Sequence, residues 1–530
     1  MKRIMLSTKI ACGAFILAAA TFASCSDSVV GGAEDVTDGG ADATTSLTTV
    51  KLATFAGDQS RVTYAATTRG AEEAETGKIL ELIAIIDNPD KEVFSNYVEK
   101  NEDGELEETG KKRSLSATSV FYDNENDKYY ATYHMQGNNY NTTLNNDIAG
   151  VIQEFAITKD GVELGEGFCA EDREKEDFDF NHIYFDRTSK RILVVGHNQK
   201  PAAEKGGNTR AIIGVFDPEE GTMKYKGVDT GEKDYDANGK SLGYKDAGDV
   251  NCVMRANDAP GYDPGWDIYF VATRKGMAVL NAKEDKLFEP ALNADGTNYF
   301  IPTPGSAKYV CPTGTSSWIG LLYLSEEHKA EAYTTSSKAN IAKLSVNTKD
   351  NELGWLQGWE SPFTKFNPQE DKINDFYSKI ELPEVISPVD GKNTLCILGN
   401  SEFYVALGTS GLYCDNGIDG FKGIKKFGNR PVNCVAVDNT VNESGHSNKN
   451  YLYVANGSKL TILDRGTLEE VASWNMPSKI KDDEGNEINI ESSANYITVT
   501  KADDGVRTIT VAYGQAGVRV FKFNPANIKK

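Results

Sequence analysis

The sequence predicts an all-β chain, a β-propeller of seven or eight four-stranded antiparallel blades closed by strands from both chain ends. Three observations predict it. Short runs of alternating Val, Ile, Leu and Tyr recur along most of the 530 residues, separated by Gly, Asn and Asp, the pattern of half-buried strands joined by tight turns. One complete copy of the unit lies between Val432 and Trp474: VNCVAVDN, a loop, YLYVANGSKLTILD, a turn, then the more polar LEEVASWN. A single four-stranded meander cannot bury its apolar face alone, so repeated copies must pack on one another, as antiparallel sheets do when arranged radially about an axis.

Residues 1–24 carry the parts of an export signal: Lys2, Arg3 and Lys9, the apolar run IACGAFILAAA, then small residues. The run is too short for a comfortable membrane span. Phe22-Ala23-Ser24-Cys25 resembles the bacterial lipobox, with Phe22 where Leu is usual. The resemblance implies that Cys25 becomes the acylated (palmitate-type) first residue of the mature chain; an ordinary secretory signal with an incidental Cys is the alternative. Residues 25–47 are mainly Gly, Ala, Ser, Thr and Asp and read as a flexible acidic tether. Residues 48–530 are then one β domain with a loop insertion near 361–380. Anchor, leash and β domain together resemble the surface and periplasmic lipoproteins of Gram-negative bacteria of the Bacteroidota type. That resemblance implies an outer-membrane lipoprotein, on the cell surface or the periplasmic side.

The formal charge of −22 repels phosphate backbones and anionic lipid surfaces, so nucleic acid is excluded as a partner. Cations, neutral sugars and basic proteins remain admissible. Of eight cysteines, Cys12 leaves with the signal and Cys25 takes the lipid; Cys169, Cys252, Cys311, Cys396, Cys414 and Cys434 remain. They show no C-x-x-C or metal-type spacing, and Cys252, Cys396 and Cys434 stand in apolar runs, which reads as buried thiols acting as small hydrophobes in a compartment that permits disulfides.

Taken in order, TVKLATFAG, RVTYAATTRG, KILELIAIID and KEVFSNYVEK make a first unit, followed by a charged hairpin. TSVFYDN, KYYATYHMQG, VIQEFAI and a short polar strand make the second. NHIYFD, RILVVGHN, AIIGVFD and TMKYKGV make the third; NCVMRAN, DIYFVATRKG, MAVLNA and KLFEPA the fourth. The fifth, AKYVCPT, WIGLLYL, ANIAKLSV and LGWLQGW, is the most degenerate. NTLCILG, EFYVALG, GLYCDN and IKKFG make the sixth, and Val432–Trp474 the seventh. The last, ANYITVT, RTITVAYGQAG and VRVFKF, lacks a fourth strand. Its open edge needs a partner, and TVKLATFAG is the expected one; if it serves there, the count falls from eight to seven.

Two alignments tie the units together. Asn opens the first strand at Asn181, Asn251, Asn393, Asn433 and Asn495, where its amide is expected to satisfy backbone groups between blades. Val-Ala followed by Gly recurs between second and third strands, from Val271-Ala272 to Gly276, Val405-Ala406 to Gly411, Val454-Ala455 to Gly457 and Val511-Ala512 to Gly517; Gly there supplies the positive φ of a tight turn. This second pattern resembles the LVIVD-type propeller repeat. The resemblance implies the fold and leaves the ligand open, since such scaffolds serve many roles.

In propellers the loop entering the first strand and the loop joining second and third strands share one face. His182, His134 and His197, three of five histidines, fall at those positions in neighbouring units. Imidazoles there suit a transition metal, a metal chelate or a sugar; they equally suit bonds to turn backbone. Asn138, Arg274 and Gln515 lie on the same loops and join the candidate ligand-binding set. Asp234, Asp236 and Asn238, with Gly239, match the opening of a calcium loop, but Lys245 stands where its Glu belongs, and an Asp/Asn/Gly hairpin is the competing reading. No G-x-S-x-G, P-loop, dinucleotide or H-E-x-x-H motif occurs. The expected function is therefore a lipid-anchored binding or scaffolding protein, serving an outer-membrane transporter or envelope assembly. The alternative is an exported propeller hydrolase, lactonase-like or glycan-cleaving, with carboxylates at the axis.

Overall fold

The computed structural model describes residues 47–64, 78–89, 96–100, 106–112, 115–135, 150–172, 175–198, 210–255, 267–292, 298, 300–303, 305–312, 318–325, 336–345, 377–386, 394–398, 402–408, 410–415, 422–437, 450–476, 479–481, 487–489, 494–501, 505–514 and 516–528. All are strand, turn or short 3-10 segment; no α-helix occurs among them. Cys25, the tether, Asn138, Asn393 and Gln515 lie outside the described residues.

Seven antiparallel meanders, A to G in the order of their first strands, stand out among the described residues. A is Leu115–Asp123, Lys128–Met135, Val151–Thr158 and Gly161–Ala170; B is Phe178–Asp186, Arg191–Asn198, Arg210–Asp217 and Thr222–Gly227. C is Val250–Arg255, Ile268–Thr273, Gly276–Asn281 and Phe300–Pro302; D is Ala307–Pro312, Trp318–Ser325, Ser336–Ser345 and Tyr377–Ile386. E is Leu395–Leu398, Glu402–Ala406, Leu412–Asp415 and Lys422–Lys425; F is Val432–Val437, Tyr451–Asn456, Lys459–Asp464 and Glu470–Asn475. G joins Tyr496–Lys501, Arg507–Ala512 and Val518–Phe523 to Leu80–Ile86 from the other end of the chain, with Val62–Tyr64 beyond it. First strands pack in succession, A on B, B on C, and so on to F on G, and that of G packs back on that of A.

The strand that completes G is a correction. Thr48–Phe55, expected there, instead pairs through Thr48–Lys51 with the fourth strand of B and through Leu52–Phe55 with the fourth strand of A, joining those edges into one nine-stranded sheet. Leu80–Ile86 takes the place beside Val518–Phe523 because it is apolar on both faces where it is covered, with Ala84 and Ile86 fully buried. The expected first unit therefore does not form as a sheet of its own. Two fourth strands also shift. Phe300–Pro302 fills that place in C, while Leu287 to Ala291 of KLFEPA folds back on the third strand around an isolated Leu280–Pro290 bridge. In D the place belongs to Tyr377–Ile386, so residues expected as the end of an insertion open a strand instead.

The Asn markers explain how neighbouring meanders are held. In five first strands the register shifts by one residue, at Thr118, Asn181, Asn251, Lys308 and Asn433, and such a bulge re-aims its side chain out of the ladder. Asn181 Nδ2 donates to Val250 O at 3.0 Å, and Asn251 Nδ2 to Ala307 O at 2.7 Å. Asn495 Nδ2 donates to Ala117 O at 3.0 Å, and Thr118 Oγ1 takes the same role toward Phe180 O at 2.8 Å. Each acceptor is the residue just before the next bulge position. The bonds thus run G to A, A to B, B to C and C to D, satisfying a buried carbonyl at each junction.

The Val-Ala-to-Gly turns also behave as expected, with positive φ at Gly276, Gly411, Gly457 and Gly517. A Cβ on Gly276 would lie 2.1 Å from Ile301 O, and one on Gly517 would lie 2.1 Å from Ile86 O. Each clash is with the fourth strand, which marks Leu80–Ile86 as the equivalent of Phe300–Pro302. Of the six cysteines, Cys169, Cys252, Cys414 and Cys434 are buried, and burial pushes the Cys414 thiol up to about 12, as befits a side chain that packs without ionising.

Candidate functional site

The sequence reading places three histidines on one face of neighbouring units, and in the structure each has surroundings of its own. His134 ends the second strand of A opposite Ser116 and is half-buried. His182 is fully buried, a correction to that reading: the bulge at Asn181 turns the next residue inward, so the side chain after the marker points to where the first strands meet. Val253 N donates to His182 Nδ1 at 3.4 Å, which leaves Nε2 to carry the proton toward Tyr496 Oη at 3.2 Å. Tyr496 Oη lies 3.3 Å from Tyr309 Oη, and the imidazole meets both rings edge-on. The first strands of B, D and G are thereby linked through side chains at their centre. Burial pushes both phenols upward, so they remain protonated donors, with the thiols of Cys252, Cys396 and Cys434 in the neighbourhood of Tyr496.

His197, at the end of the second strand of B, is held between two carboxylates. Its Nε2 lies 3.3 Å from Asp179 Oδ2 and its Nδ1 3.1 Å from Asp249 Oδ1. Burial alone would lower its pKa, but the charge of Asp249 and the bonds to Asp179 and Asp249 prevail and raise it well above the usual range. Between two carboxylates the ring favours its protonated form, which donates from both nitrogens. Such a ring has no lone pair for a transition metal and no basic nitrogen for catalysis. Asn181 Nδ2 donates to Asp249 Oδ1 at 2.8 Å, so the same marker Asn that bonds Val250 O also orients this acid. Arg274 is exposed on the turn between the second and third strands of C, and its backbone N donates to Asp249 O. The B–C junction thus gathers Asp179, Asn181, His197, Asp249 and Arg274 at the end where first strands begin.

Asp179 and Asp249 were not singled out in the sequence. A signal was there: Asp179-Phe180-Asn181 and Asp249-Val250-Asn251 repeat Asp two residues before the marker Asn, and among the five marker positions only these two have it. Tyr309 and Tyr496 gave no such sign, being indistinguishable from other strand tyrosines.

The calcium-loop residues form the turn between the strands Asp229–Tyr235 and Ser241–Asp246. Asp236 Oδ1 accepts from the backbone N of Asn238 at 2.9 Å and of Lys240 at 2.7 Å, and Asp234 Oδ1 accepts from Tyr235 N. These are the bonds by which an Asp closes a turn, and Lys245 pairs with Glu232 across the hairpin. Among the described residues, no three His, Cys, Asp or Glu side chains converge as a metal-binding group.

Neither a protein-family model nor a curated protein matches this chain. Among solved structures it is similar to an extracellular domain assigned to a hybrid two component system from B. thetaiotaomicron, at 13% identity and a TM-score of 0.36. The match covers 78% of this chain and 40% of that one. A likeness of that size bears on neither the fold nor the function of this chain.

Proposed function

We propose that the chain is a lipid-anchored envelope protein built on a seven-bladed β-propeller, with meanders A to G as blades, that presents the first-strand-entry end of the blades to a ligand or partner protein. The observation that carries this reading is the filled centre. His182, Tyr309 and Tyr496 meet there, fully or almost fully buried, and hydrogen-bonded rings of this kind close a core where a hydrolase would need ionised acids around a substrate. Polar, chargeable groups lie instead at the blade ends, as at the B–C junction. The cyclic succession of first strands and the completion of G by Leu80–Ile86 support the propeller, and the Val-Ala-to-Gly turns support the LVIVD-type resemblance. The export signal, Cys25 and the tether are what support the outer-membrane address; capture of a nutrient for a transporter, or a role in envelope assembly, fits that address. A ligand screen on the full chain in detergent, with turnover followed in parallel, tests it. Binding without turnover is expected. Hydrolysis of a lactone or glycan that is lost in Tyr496→Phe would overturn the reading in favour of an exported hydrolase.

A further inference from the structure

A cleft of about 350 Å³ opens where meander E meets meander F, lined by Lys425, Lys426, Phe427, Arg430, Asn456, Lys459, Glu470 and Asn475. Its position follows from the repeat. Asn456 is the register partner of Val432, the residue before the bulge of the first strand, as Gly196 is of Phe180 in B, so the cleft lies at the same end of its blades as the His197 junction. What fills that position differs. In B it is Gly196, which has no side chain. In F it is Asn456, 1% exposed, whose Oδ1 accepts from Thr461 Oγ1 at 3.2 Å and whose Nδ2 meets no acceptor among the described residues. An amide N–H at a cleft wall that has no protein acceptor is left to water or to an acceptor from outside.

Charge names the class of that acceptor. Four lining side chains are cationic and one, Glu470, is anionic. Lys459 Nζ pairs with Glu470 at 3.0 Å, and Ser473 Oγ donates to it at 2.5 Å; burial opposes ionisation, but these bonds hold its pKa below the usual range, so it offsets one cation. Arg430 Nη1 donates to Asn475 Oδ1 at 2.6 Å, and Lys425 and Lys426 have no ion pair among the described residues. An excess of three positive charges is thus gathered in one concave place on a chain whose formal charge is −22. Random solvation of turns does not concentrate the minority charge in this way, and a concave wall focuses its field.

We infer that the E–F cleft is a binding site for a small organic polyanion, a compound with two or more carboxylate, sulfate or phosphate groups. Arg430 and Lys425 take its charged groups, Asn456 Nδ2 donates to one of its oxygens, and the half-buried ring of Phe427 offers an apolar wall. This deepens the proposed binding function and rests on it. The test is calorimetric titration of the full chain in detergent at low ionic strength with citrate and with pyrophosphate, against acetate and glucose. Citrate, pyrophosphate or both should bind at least about tenfold more tightly than acetate or glucose, a gap that one charge-assisted contact suffices to make. Binding of one probe alone assigns the carboxylate or the phosphoryl class. Lys425→Gln and Arg430→Gln should each weaken the polyanion about tenfold, and Glu470→Gln should tighten it several-fold. Lys426→Gln, at an exposed position, gives a further variant with no packing to lose. Failure of both probes to bind, or binding unchanged in the cation variants, overturns the inference. In either case a ligand found by the broader screen that ignores these substitutions leaves the binding function standing and removes only this cleft.

Discussion

Asn251→Ala tests the junction bonds directly. Asn251 Nδ2 donates to Ser306 Oγ at 3.0 Å and to Ala307 O at 2.7 Å, and Ala307 is fully buried. Removing the amide deletes one bond to a hydroxyl that can turn to water and one to a carbonyl at a buried junction. The second loss dominates, because a buried acceptor left unpaired costs about 1–3 kcal/mol while a solvent-replaceable bond costs under about 1. Unfolding entropy of about 2.1 cal/mol/K per residue, over the roughly 480 residues from Leu47 to Ile528, comes to about 1 kcal/mol/K. The melting temperature should therefore fall by about 1–3 °C, and the denaturant midpoint should fall without a change in slope. Asn251→Asp should cost more than Ala, since it points a carboxylate at the carbonyl it replaced a donor for. Asn238→Ala, in the exposed hairpin turn, serves as the comparison and should change stability by less than about 0.5 kcal/mol. Calorimetry and urea unfolding measure both. If Asn251→Ala is as stable as Asn238→Ala, or Asn251→Asp as stable as the parent, the bond between neighbouring first strands is not what the repeated Asn supplies.

Other expectations follow from the same geometry. His197 has a folded pKa raised above its unfolded value of about 6.5, so the stability it contributes is fully present below that pH and is lost as pH rises through the folded pKa. The gap in urea midpoint between the parent and His197→Gln should be widest near pH 6 and narrow toward alkaline pH; a gap that is constant or grows with pH contradicts the two-carboxylate clamp. Gly517→Ala places a methyl 2.1 Å from Ile86 O at a φ of +76° and should destabilise by several kcal/mol, more than about 3; a loss under about 1 kcal/mol would mean that Leu80–Ile86 does not complete meander G. Cys25→Ser should shift the protein from the membrane to the soluble fraction or leave its signal uncut, and parent protein that is fully soluble after signal removal refutes the anchor.

Strand existence was legible because period-2 alternation and Gly/Asn/Asp turns are local signals. The Asn markers carried more than strand identity, since their expected role between sheets appears at four junctions when Thr118 is counted with Asn181, Asn251 and Asn495. Thr118 escaped notice because a hydroxyl does the work of an amide there. The site was less legible. His182 and His197 are equivalent in sequence terms, each beside a strand end, yet one is turned inward by a bulge and the other is caught between acids from two sheets. Register shifts of one residue decide which face a side chain takes, and no composition reveals them.

The misplaced closing strand shows where local reading fails and what would have corrected it. Thr48–Phe55 and Leu80–Ile86 are both short apolar segments near the N-terminus, and the unpaired edge of Val518–Phe523 accepts either by hydropathy. The difference lies in what each must cover. Thr48–Phe55 has exposed or half-exposed residues at every position but Leu52, as suits a strand laid along the outer edges of two sheets. Leu80–Ile86 reads LELIAII, with a single charge, as suits a strand flanked on both sides, by Val518–Phe523 and by Val62–Tyr64. A strand with neighbours on both edges and packing on both faces needs a near-continuous apolar run, whereas an outer strand keeps its alternation. Applied to the sequence, that rule selects Leu80–Ile86 for meander G, and Gly517, which leaves no room for a Cβ beside Ile86 O, is the residue on the other side of the same contact.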